Sequence, residues 1–97
     1  MTTRRILIVG AGTAGRSLAE SIKSAGGTVV GYLDDVKTGD DVLGRLADVN
    51  AVVRDHQIEV LQIAIPSAGA GRVRDLLNII DSPHLAIAII PRPYDII

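Results

Sequence analysis

Along the chain, short uninterrupted apolar runs alternate with stretches in which apolar residues return every three or four positions. Ile6-Leu7-Ile8-Val9 is a continuous aliphatic run that stops at Gly10, the pattern of a strand buried on both faces. From Ala14 onward the apolar positions fall at Ala14, Leu18, Ile22 and Ala25, a helical stripe. Gly26-Gly27 ends it, because glycine accepts the left-handed cap conformation cheaply. Thr28 to Leu33 reads as a second strand that runs straight into Asp34-Asp35, and Lys37 to Asp41 as a polar loop. Val42-Leu43 predicts a very short edge strand before Gly44, and Leu46, Val49, Val52 and Val53 mark a helix ending near His56. Val60 to Ile65 is another buried strand, closed by Pro66-Ser67. Val73, Leu76, Leu77 and Ile80 have the i, i+3, i+4, i+7 spacing of an amphipathic helix. Asp81-Ser82-Pro83 breaks that helix, and Leu85 to Ile90 forms the last strand before Pro91-Arg92-Pro93.

Strands that alternate with helices predict an α/β fold: a parallel sheet of about five strands in the order 3-2-1-4-5, covered by helices on both faces. Crossovers in such a sheet are right-handed, so the first two strands lie side by side. This is a three-layer, Rossmann-like arrangement. The 97 residues suffice for one domain, residues 1–97. Tyr94-Asp95-Ile96-Ile97 is apolar and carries no stop signal, which leads us to expect a piece of a longer protein.

The first turn carries the main chemical signal. Gly10-Ala11-Gly12-Thr13-Ala14-Gly15 sits between a predicted strand and a predicted helix. In a GxGxxG turn the first glycine permits the tight turn, the second lets a pyrophosphate approach the backbone, and the third lets helix and strand pack closely. The helix beginning near Thr13 aims unpaired N–H groups and its positive dipole end at the phosphates, so the backbones of Ala11, Thr13 and Ala14 are expected donors. Asp34 lies at the tip of the second strand, nineteen residues beyond Gly15. A carboxylate there accepts hydrogen bonds from ribose hydroxyls and disfavours a 2′-phosphate, so NAD is expected over NADP. Asp35 is the alternative holder of that role. Pro66 and Ser67 follow the fourth strand and are expected to border the far side of the ligand, although Ser67 also fits a plain helix cap.

Composition narrows the classes further. Phe, Trp and Cys are absent, and Tyr32 and Tyr94 are the only aromatic residues. Without Cys there are no disulfides, thiolate metal sites or cysteine nucleophiles. Ten basic and eleven acidic residues leave a net charge of −1 with no basic stripe, and aromatic platforms for bases are lacking. On that basis no nucleic-acid partner is expected. The apolar run after Arg4-Arg5 is too short for a signal-peptide core or a membrane span. The expectation is a cytoplasmic domain without membrane contact of its own, and a homodimer is plausible for an isolated sheet of this kind.

The remaining polar residues suggest no catalytic set. Arg16 lies in the first helical turn, where a cation opposes the dipole; a bound phosphate or simple exposure would relieve that conflict. Arg72 and Arg74 do not share a helix face and are read as solvated. His56 and His84 have no partner at metal-ligand spacing. Tyr32 is followed four residues later by Val36 rather than Lys, so short-chain dehydrogenase chemistry is not predicted. A bound cofactor would react elsewhere or not at all.

Ile6 to Gly15, Val30-Gly31-Tyr32-Leu33-Asp34-Asp35, Val42-Leu43-Gly44, Val60 to Ser67 and Ile89-Ile90-Pro91 together resemble the first Rossmann domain of the CapD-like polysaccharide-biosynthesis proteins. These are nucleoside-diphosphate-sugar dehydratases and epimerases. The resemblance implies the NAD(H)-binding domain of such an enzyme, without its catalytic half, in a parent that is often membrane-attached. Similar domains also front sugar O-acyltransferases, where they bind a UDP-sugar, and related folds bind coenzyme A (CoA). The loop from Val36 to Asp41 looks shorter than in that family. UDP-sugar and CoA therefore stand as alternative ligands, and a non-enzymatic nucleotide or redox sensor as an alternative role.

Overall fold

Arg5–Val9 forms β1, the central strand of a five-stranded parallel sheet whose order is β3-β2-β1-β4-β5. The computed structural model describes residues 3–64 and 70–90. Around β1 stand β2 (Thr28–Leu33) and β3 (Val42–Gly44) on one side, β4 (Val60–Ile63) and β5 (Ala86–Ile89) on the other. The helices are α1 (Thr13–Ser24), α2 (Val49–Asp55) and α3 (Ala70–Ile79), with a single 3₁₀ turn at Leu46–Asp48 leading into α2. This is the predicted Rossmann-like α/β fold.

The alternation of side chains along each strand assigns the two faces. Leu7, Val9, Leu33, Leu61 and Ile63 pack with Val49, Val52 and Val53 of α2 and Leu76 of α3. Ile8, Tyr32 and Ala64 pack on the opposite face with Ala19 of α1, and Leu18 and Ile22 complete that layer. Leu7, Leu33 and Leu61 are fully buried, and burial of such a side chain contributes about 1.5–3 kcal/mol. Because β1 is paired on both edges and covered by helices on both faces, Leu7, Ile8 and Val9 are fully buried, which is why that part of the strand is aliphatic.

Two details differ from the periodicity. The stripe expected on α3 loses Leu77, which is 40% exposed, while Leu76 is buried and Val73 and Ile80 pack at the margin of the core. Among the described side chains of α3, Leu76 is buried and Val73 half-buried, while Leu77 and Ile79 face solvent, so the apolar contact is narrower than the stripe implies. The helix expected from Leu46 begins instead with the 3₁₀ turn, where the Asp48 carboxylate accepts the Arg45 N–H at 2.8 Å. No helix among the described residues is long and apolar enough to cross a membrane.

Candidate functional site

The carboxyl ends of β1 and β4 lie side by side where the chain order of the sheet reverses, and the glycine turn opens at this point. In open α/β sheets that crevice is where ligands settle. The Gly10 N–H donates to the Leu33 carbonyl at 2.8 Å, and Gly10 adopts φ +107°, a left-handed conformation that a side chain would strain. The chain reverses through Ala11 to Gly12, the N-cap of α1, and the first intrahelical bond runs from the Arg16 N–H to the Gly12 carbonyl at 2.9 Å. No side chain caps this helix and no acid lies in its first turn. The N–H groups of Thr13, Ala14 and Gly15 are thus left without intrahelical partners at the positive end of the dipole.

The three glycines divide their work. A Cβ at Gly15 would overlap the Gly10 carbonyl, so glycine there lets α1 sit against the end of β1. A Cβ at Gly12 would meet nothing within 4 Å. Gly12 has φ −82°, which any residue can adopt. Neither packing nor conformation requires a glycine at this position.

Asp34 stands just beyond β2, and its carboxylate is already well supplied with donors. One oxygen accepts the Ala11 N–H at 2.8 Å; the other accepts the Val36 and Lys37 N–H groups at 2.8 and 2.7 Å. Partial burial works against the charge, but the N–H groups of Ala11, Lys37 and Val36 and the Lys37 ammonium outweigh it and hold the carboxyl below its ordinary range. Asp34 therefore braces the glycine turn against the loop after β2. Asp35 turns elsewhere: it accepts the Leu46 N–H at 2.9 Å and forms an ion pair with Arg72 of α3.

These residues enclose a cleft of about 320 Å³ in which Gly12, Thr13, Ala14, Asp34, Lys37 and Arg72 meet. Its size lies at the small end of the range for ligand sites. A wider and more open hollow of about 630 Å³ lies along the outer side of α1, beside Arg16, Lys23 and Tyr32. The smaller cleft is the candidate site, because it holds the strand ends and the free N–H groups. Among the sequence-predicted residues, Gly10, Gly12, Thr13, Ala14, Asp34 and Asp35 line it, while Ala11 is buried beneath the turn and Gly15 forms its packing support. Pro66 and Ser67 lie outside the described residues.

Two arginines behave differently from their sequence setting. Arg16 resolves its conflict with the dipole through Asp41, donating two hydrogen bonds at 2.5 and 3.2 Å, and stacks over the Tyr32 ring at 4.2 Å. The Asp41 bonds raise the Arg16 pKa, and Arg16 in turn lowers that of Asp41. Arg72, read as solvated, faces the cleft. Its partner Asp35 is remote in sequence, so no local spacing signals the pair.

A family model described as a CoA-binding domain matches residues 1–91. This chain belongs to the CoA-binding domain family. Among curated protein sequences, none is significantly similar. Solved structures share the fold of this CoA-binding domain family member at low identity. UDP-D-quinovosamine 4-dehydrogenase from Vibrio fischeri is 22% identical, with a TM-score of 0.71 over 98% of this chain and 84% of that one. The Rex-family repressor RSP with β-NADH is 19% identical, with a TM-score of 0.62 over 97% of this chain and 56% of that one. RSP in complex with β-NAD+ and operator DNA is 20% identical, with a TM-score of 0.61 over 91% of this chain and 51% of that one. The chain thus spans about half of the repressor's length. It is a Rossmann nucleotide-binding module, and membership in the CapD-like group is not what the family match specifies.

The repressor complex corrects one expectation. The even charge balance and the lack of aromatic platforms led to no nucleic-acid partner, yet a protein with this fold is seen with operator DNA. The reason is one of scope: charge counted over 97 residues bounds only these residues, and the repressor carries about as much chain again.

Proposed function

We propose that this chain seats the diphosphate of a nucleotide cofactor against the N-terminus of α1, as one module of a longer protein. The observation that carries this reading is Gly12. Gly10 is explained by its backbone and Gly15 by its contact with Gly10, but a side chain at Gly12 would point into open space. Glycine at that position makes sense if a pyrophosphate must come close to the main chain there.

NAD(H) and CoA share an ADP moiety, and that common half is what the cleft suits. NAD(H) is supported by the fold shared with RSP, which is seen with β-NAD+ and β-NADH; CoA is supported by the family description. The ribose contact proposed for Asp34 is reduced to the one acceptor site left on the oxygen that binds Ala11. The finer reading, a module of a nucleotide-sugar dehydratase or epimerase, is supported by the likeness to UDP-D-quinovosamine 4-dehydrogenase. In that reading the catalytic groups belong to other parts of the protein.

The test is thermal unfolding of the chain with NAD⁺, NADP⁺, CoA and UDP-N-acetylglucosamine in turn. A ligand at a hundred times its Kd stabilises the fold by about 2.7 kcal/mol, a rise of several degrees or more for a domain of this size. A shift with NAD⁺ or CoA supports the adenine-nucleotide reading. A shift with the UDP-sugar alone moves the assignment to a sugar-nucleotide module, and no shift with any of the four overturns nucleotide binding.

A further inference from the structure

Arg72 stands in the first turn of α3, on the β4 side of the cleft, and its guanidinium reaches over to Asp35 at the end of β2. A cation at a helix start opposes the dipole, so the helix itself gives no reason for it. Asp35 is held from the other side by the Leu46 N–H at 2.9 Å, which makes its carboxylate a fixed anchor. Both members of the ion pair therefore line the same cleft as Gly12, Thr13 and Ala14. The Arg72 side chain is 57% exposed, and an ion pair so open to water contributes little. A phosphate, by contrast, matches the planar guanidinium fork with two parallel charge-assisted bonds.

We propose that Arg72 is a second contact for the ligand's diphosphate, opposite the start of α1, and that Asp35 parks it there until phosphate takes the place of the carboxylate. This rests on the cleft being the nucleotide site. Among the described residues lining the cleft, Lys37 and Arg72 are the cations, and Asp34 and Asp35 the anions. Asp34 stays charged but its oxygens are taken up by three N–H donors, whereas Asp35 is paired with Arg72, so Asp35 is the carboxylate that a phosphate must displace. The ligand class is a nucleoside diphosphate, free or within a larger cofactor.

Calorimetric titration of the full chain with ADP and, separately, UDP tests this. Arg72→Ala should weaken binding of the accepted diphosphate about tenfold or more with Tm unchanged, and Arg72→Lys should fall between. Asp35→Asn keeps an acceptor for the Leu46 N–H but releases Arg72, and should tighten binding several-fold. A purely structural pair would instead make both Asp35→Asn and Arg72→Ala weaken binding. Equal affinity in wild type and Arg72→Ala overturns the role of Arg72 and leaves the nucleotide cleft standing. Failure of the wild type to bind either diphosphate overturns both.

Discussion

The Asp34 carboxylate and the Ala11 N–H meet at 2.8 Å, tying the end of β2 to the turn that follows β1. With the Val36 and Lys37 N–H groups on its other oxygen, this one side chain organises both walls of the cleft. Hydrogen bonds to a charged group contribute about 1.5–3 kcal/mol. Asp34→Ala is therefore expected to lower Tm by roughly 10 °C and to weaken nucleotide binding along with it. A variant with wild-type Tm would show that the brace is unimportant.

The same contacts make a pH prediction. The folded Asp34 carboxyl lies below its ordinary value of 3.8, so its contribution is full above that value and is lost as pH falls through the lower folded value. Acid unfolding of wild type and Asp34→Asn should converge at the lowest pH, with the wild type more stable above it. Parallel curves through the acid limb would contradict this.

Gly12 and Gly15 should separate binding from folding. Gly12→Ala is expected to fold normally, since its Cβ meets nothing, and to bind nucleotide more weakly. Gly15→Ala must displace the Gly10 carbonyl or the start of α1, a packing conflict of about 1–3 kcal/mol. Urea unfolding midpoints and calorimetric affinities for the two variants give the comparison directly.

Leu61 is fully buried in β4 between β1 and β5. Leu61→Ala should cost about 2–5 kcal/mol, enough to leave a domain of this size largely unfolded at the lower end of ordinary stabilities. Leu77→Ala, on the exposed side of α3, should leave the denaturation midpoint almost unchanged. Equal effects at the two positions would contradict the burial pattern.

Asn50 clamps α2 to the end of α3: its amide donates to the Ile79 carbonyl and accepts the Asp81 N–H, both at 2.8 Å. Asn50→Ala should cost about 1–3 kcal/mol for the two neutral bonds. Faster hydrogen exchange at Asp81 in that variant would locate the loss at the end of α3.

Much of the fold is legible in the sequence because the signals are local. An unbroken aliphatic run predicts a strand buried on both faces, as at Ile6–Val9, and a glycine turn between strand and helix marks a phosphate-sized opening. Alternation and the right-handed crossover make the sheet parallel; the order 3-2-1-4-5 is the one expected of a Rossmann-like glycine turn and the one the structure has. Asp34 was visible as an acid at the right distance from Gly15, but its engagement with Ala11, Val36 and Lys37 was not, because side-chain direction at a strand end depends on which N–H groups the next loop presents.

The amino-acid pattern by itself determined the strands, the helices and the glycine turn between β1 and α1, because hydrophobic period and glycine chemistry act over a few neighbouring residues. Tertiary structure alone decided that Arg16 turns to Asp41, that Leu77 is left to solvent, and that Arg72 crosses to Asp35. Each of these depends on residues far apart in the chain brought within reach by the packing of helices on the sheet, and no spacing along the sequence encodes that distance.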